Sequence, residues 1–142
     1  MKKPMLFFAL LLVLASCVSG EPKPIQLNTD ACDFCKMTIS NGQYGAELIT
    51  QKGRYYKFDD VACMIHFAKS NTVVPYKAFF VSDYLMANTL IPAEKSFFLQ
   101  GGTINSPMHG NAIAFTSEKE AKDYQSKYKA ALLTWKELYS SY

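Results

Sequence analysis

The stretch RYYKFDDVACMIHFAK, residues 54–69, changes its hydrophobic period at the centre. Residues 54–58 have the aromatic, pleat-filling character of a strand. Asp59 or Asp60 then offers a carboxylate to the first N–H groups of a helix, and Val61, Met64, Ile65 and Ala68 return at helical spacing as far as about Lys69. Just upstream, QYGAELI at 43–49 alternates as a half-buried strand does, and QKG at 51–53 makes a turn ending on glycine. The expected unit is therefore a β-hairpin that runs straight into a helix.

The second half reads on the same plan. YKAFFVSDYL from 76, KSFFLQ from 95 and NAIAF at 111–115 are strand-like, punctuated by Pro92 and by Gly101 and Gly102. SEKE at 117–120 is a capping box, and Ala121, Tyr124, Tyr128, Ala131, Leu132, Trp135 and Leu138 then mark one face of a helix. The expectation is an α+β fold of two small similar strand-strand-helix units packed together. They form one domain over 30–142, with halves at 30–72 and 73–142.

Residues 1–16 open with Lys2 and Lys3, continue through an apolar run and end on small residues before Cys17, which is the pattern of a secretory signal. The ending LASC matches a bacterial lipobox, so Cys17 is expected to carry the lipid. Residue 18 is valine and not aspartate, which leans towards the outer membrane, facing the periplasm. Residues 17–29, rich in proline and polar side chains, read as a flexible linker.

The whole chain is 142 residues, 49% hydrophobic and 14% aromatic, enough for one compact domain. Losing Lys2 and Lys3 from the 15 basic residues leaves 13 against 12 acidic ones, so no basic stripe for nucleic acid is expected. There is no serine, histidine and aspartate pattern and no glycine-rich phosphate loop, and His66 and His109 are the only histidines. A binding protein is expected in preference to an enzyme.

The chemistry lies in ACDFCKMTIS, residues 31–40. With Cys17 acylated, Cys32, Cys35 and Cys63 remain, an odd number that argues against a purely structural disulfide framework. Three readings follow. A thiol-disulfide oxidoreductase would need a helix beginning at Cys32 to lower its pKa, whereas the residues that follow are β-branched and broken by glycine. A structural zinc site of the treble-clef kind would use Cys32, Cys35, Cys63 and His66, spaced C-x2-C-x27-C-x2-H, with Cys63 and His66 on one side of their helix. Cuprous copper would prefer thiolate and thioether. Met37 supports it, because strand alternation would bring it to the face of Cys35. So does Met108, a methionine on the proline- and glycine-bounded loop NSPMHGN with no evident core role.

CDFCKMTI, YYKFDDVACM and SPMHGNAIAF, in this order behind a lipobox, resemble the NosL family of nitrous oxide reductase accessory lipoproteins. The resemblance implies an envelope copper chaperone that binds Cu(I) and delivers it to nitrous oxide reductase, with an ABC-type membrane complex as partner. It implies metal ligands at Cys32, Cys35 and Met37, with Met108 added by the SPM motif; Cys63 is a further candidate thiolate. The family loop runs S-P-M-G, and here His109 separates Met108 from Gly110.

Overall fold

A computed structural model describes residues 20–142. The signal segment and Cys17 lie outside the described residues. The hairpin expected from the sequence is strands β1 (Ala46–Thr50) and β2 (Tyr55–Phe58), paired antiparallel with Ala46 opposite Phe58 and Ile49 opposite Tyr55. Helix α1 (Val61–Ser70) follows, and Asp60 is its cap, accepting a hydrogen bond from the N–H of Ala62 at 2.9 Å. Strands β3 (Tyr76–Ser82) and β4 (Leu90–Pro92) complete a sheet of order β2-β1-β3-β4. Both lie beyond residue 72 and pair within the first sheet, so the two sheets do not divide at the boundary expected between 72 and 73.

A one-turn 3-10 helix at Ala93–Lys95 leads into β5 (Phe97–Gln100) and β6 (Ala112–Phe115). Helix α2 (Glu118–Tyr128) begins on the expected capping box of Ser117 and Glu120. The sequence marks one apolar face onward through Ala131 and Leu132. The helix instead stops at Lys129, whose backbone is left-handed at φ 51°, and Ala131–Thr134 form β7 against β5. An extended segment here satisfies the open edge of β5, which a longer helix would leave unpaired. The remaining apolar positions, Trp135 and Leu138, belong to α3 (Trp135–Ser141), capped by Thr134.

The fold is α+β, and its two units share one topology. In each, a hairpin is followed by a helix and then by a strand that returns beside the hairpin's first strand, giving orders β2-β1-β3 and β6-β5-β7. A core cluster of Leu48, Phe58, Met64, Ile65, Phe98, Ala112 and Leu138 draws on both sheets and on α1 and α3.

The segment at 20–29, read from composition as a linker, lies along the first sheet from Gly20 onward. Tyr55 donates its hydroxyl to the carbonyl of Glu21, Lys23 N–H donates to Glu47 Oε1 at 2.8 Å, and Lys57 Nζ donates to the carbonyl of Pro24. Ile25 is buried, and its carbonyl accepts from Asn88 Nδ2.

Candidate metal centre

Cys32 and Cys35 sit on a tight knuckle. Ala31 and Thr38 form a bridge, Cys32 N–H donates to the Met37 carbonyl at 2.8 Å, and Lys36 N–H donates to the Cys32 carbonyl at 3.0 Å. Lys36 turns the chain with a left-handed backbone, φ 68°. The knuckle is tied to β2 by a reciprocal pair: Asp33 N–H donates to the Lys57 carbonyl, and Lys57 N–H donates to Asp33 Oδ2, both at 2.8 Å. Lys57 Nζ also reaches Asp30 Oδ2 at 2.6 Å. Burial pushes the Asp30 carboxyl up, but hydrogen bonds from Lys57 and the Gln26 N–H, with the lysine's charge, bring it below its ordinary value.

The end of β2 and the first turn of α1 face this knuckle. Asp60 caps the helix, which leaves its neighbour Asp59 free to turn the other way. Ligand atoms of Cys32, Cys35, Asp59 and Cys63 all lie within 4.8 Å of one another, and Cys35 Sγ lies 3.5 Å from Asp59 Oδ1. The three cysteines are unpaired thiols. Cys32 and Cys63 are 0% and 2% exposed, while Cys35 is half-buried. The thiols are not equivalent. A hydrogen bond from Cys63, aided by backbone N–H groups and opposed by burial, brings Cys32 down to about 6, which favours its thiolate form. Cys63 is pushed up because it is the donor to Cys32 and because it is buried. Burial, with the nearby charges of Cys32 and Asp59, pushes Cys35 up to about 11.

The other sequence candidates stand around this group. His66 is exposed and outside it. Its ring stacks on Phe34 at 5.8 Å and meets Tyr142 edge-on at 5.5 Å. Helical spacing predicts Cys63 and His66 on one side of α1, but the helix directs Cys63 into the core beneath the knuckle and His66 to solvent. Met37 is 58% exposed, and the left-handed Lys36 between it and Cys35 breaks the strand alternation on which their shared face was argued. Met108 is half-buried against the core cluster that contains Cys32 and Cys63.

Asp60 holds Met108 there. Its Oδ2 accepts from Ser106 Oγ at 2.5 Å, Met108 N–H at 3.0 Å and Gly110 N–H at 3.4 Å, while Oδ1 caps α1. His109 and Asn111 turn this loop with left-handed backbones, φ 58° and 51°. Tyr142 closes it from outside, its hydroxyl donating to the Gly110 carbonyl at 2.7 Å. Burial, then the charge of Asp60, raises that phenol to about 12.

Asp59 is the residue that sequence reasoning missed. Its signal was present, because two consecutive aspartates precede one helix and one side chain fills the cap. Among the described residues no helix is long and apolar enough to cross a membrane.

The family model described as NosL matches residues 24–142. The fold is similar to the crystal structure of the copper chaperone NosL from Shewanella denitrificans, with a TM-score of 0.70 and 22% sequence identity over 82% of this chain and 96% of that one. No curated protein matches.

Proposed function

The chain belongs to the NosL family, and from that premise we propose that it is a Cu(I) metallochaperone that supplies copper for the centres of nitrous oxide reductase, docking with an ABC-type membrane complex. The observation that carries the reading is the convergence of three thiols and Asp59 within 4.8 Å, with Cys35 alone of the four partly exposed. Cu(I) is the cargo, and thiolate is its preferred ligand. Cys32 and Cys63 are the buried holders. Cys35, half-buried beside the exposed Met37, is where an incoming sulfur or imidazole attacks before the other ligands leave. Met108 supplies a weaker thioether from the second unit.

The same reading includes a signal segment at 1–16, acylation at Cys17 and a cell-envelope location, in the outer membrane facing the periplasm. The protein acts by binding and transfer rather than by catalysis.

Asp59 favours a second reading. Its oxygen is a hard donor, and three thiolates with one carboxylate suit tetrahedral zinc better than Cu(I) does. Metal content and K-edge absorption of the reduced mature chain, loaded anaerobically with both metals present, separate the two. One copper in a sulfur shell supports the chaperone; one zinc with three sulfurs and one oxygen supports the structural site. In a competition titration with a Cu(I) chelator, Cys35→Ser weakens binding by orders of magnitude, and an unchanged affinity would refute the ligand assignment.

A further inference from the structure

The strap at 20–29 fixes where the chain leaves the domain. It runs the length of the first sheet: Glu21 meets Tyr55 at the start of β2, Lys23 meets Glu47 at mid-strand, and Ile25 lies against Gly45 just before β1. Gly20 therefore stands at the opposite end of the sheet from the cysteines, where the Lys77 side chain borders the space that a Cβ at this position would take. The turn at 51–54 and the connection at 71–75 lie side by side at this end, joined by Gln51 N–H donating to the Pro75 carbonyl at 2.9 Å. Helix α1, with 10 residues, spans ~15 Å between this end and the cap at Asp60.

This end carries an exposed apolar tip with basic side chains around it. Val73 is 92% exposed at the tip of its connection. Lys52 and Arg54 flank the neighbouring turn, Lys77 borders it, and Lys69 sits in the last turn of α1. The nearby acids are Glu21 and Glu94, the latter sharing a shallow cavity with Lys77 and Lys95. Three peptide units separate Cys17 from Gly20, a span of at most about 11 Å. An acyl chain on Cys17 would hold this end within reach of the headgroups.

We propose that the face formed by the 51–54 turn, the 71–75 connection and Lys77 rests on anionic phospholipid headgroups, with Val73 dipping among them. The cysteine cluster at the other end then points away from the bilayer. Each basic side chain close to an anionic leaflet strengthens association roughly fivefold, so the face adds an oriented contact to the tether. The inference rests on the acylation of Cys17 proposed above.

The test uses the full mature protein on vesicles of phosphatidylethanolamine and phosphatidylglycerol in which part of the acyl chains are brominated. Two tryptophan reporters are compared with the parent, whose Trp135 supplies the background: Val73→Trp at the proposed face and Asn105→Trp on the loop beside Asp60. Flotation with the vesicles reports the tether, and bromine quenching reports the orientation. The expected result is flotation of every variant, loss of emission for Val73→Trp and none for Asn105→Trp. Adding Lys52→Glu and Arg54→Glu should abolish the quenching at residue 73 while flotation persists. A floated protein without quenching at residue 73, or with equal quenching at 105, would overturn the orientation alone. A parent that fails to float would overturn the tether and the orientation with it.

Discussion

Replacing Asp60 by asparagine tests whether one buried carboxylate joins the two halves of the candidate site. Asparagine caps helices as well as aspartate does, so the bond to the Ala62 N–H survives and the change falls on the other oxygen. In the parent that oxygen accepts from Ser106, Met108 and Gly110, the last bond being long at 3.4 Å. An amide nitrogen in its place is a donor facing donors. Two charge-assisted bonds worth roughly 1.5–2 kcal/mol each are lost, and the helix N-terminus gives up about 0.5 kcal/mol of favourable charge. The expected loss is therefore roughly 3–5 kcal/mol, a large part of a typical domain's ~5–15 kcal/mol.

Urea unfolding of the reduced, metal-free protein measures it. Ser106→Ala should cost about 1–3 kcal/mol, since its hydroxyl also accepts from Asn111 N–H at 2.7 Å. The double variant should fall short of additivity by about 1–2 kcal/mol, because both changes remove one bond. With Met108 released, Cu(I) should also leave faster in a chelator chase. An Asp60→Asn protein within about 0.5 kcal/mol of the parent would refute the clamp.

Glu47 is wholly buried in β1, with Oε1 bonded to Lys23 N–H and Oε2 without a partner among the described residues, and burial raises its pKa. The folded state therefore holds its proton more tightly than the unfolded one, and this residue's contribution to stability falls as pH rises from 4.5 through the folded value. Glu47→Gln should stabilise the protein at pH ~7 and lose that advantage near pH ~4, read from urea midpoints across pH. Asp30 works in the opposite sense: its contribution is complete above 3.8 and is lost as pH falls through the lower folded value. Lys57→Met should cost about 1–2 kcal/mol and flatten that acid limb. Lys36→Gly relieves a left-handed residue at φ 68° and should raise stability by about 1 kcal/mol, seen as a higher melting temperature.

The hairpin and α1 were legible because their period changes within one short stretch, and the capping box of α2 because both of its partners are local. The strand β7 was not. Ala131 and Leu132 continue a helical face in sequence, and what makes them extended is the open edge of β5, more than thirty positions upstream, which no local pattern reports. In the same way, β4 is three residues ending on a proline, and it becomes a strand through its pairing with β3. The topological repeat was visible as an order of elements, while its second hairpin proved to be β5 and β6.

The candidate site divides along the same line. Spacing singles out Cys32, Cys35 and Cys63, few as thiols are in this chain, and the fold brings them together. Spacing does not place His66, since three positions along a helix bring two side chains to neighbouring directions but do not say which of them meets the knuckle. Asp59 and Asp60 show the physical reason most clearly. They are adjacent and identical in type, and in an extended N-cap segment successive side chains point to opposite sides. One carboxylate therefore enters the cysteine group while the other fastens the methionine loop to the helix start. Under the proposed ligand assignment each unit by itself would present only part of the donor set, three cysteines from the first and Met108 from the second. The pair of aspartates brings both parts to one helix N-terminus, so disturbing Asp60 should loosen the thioether side and leave the thiols in place, whereas disturbing Asp59 should do the reverse.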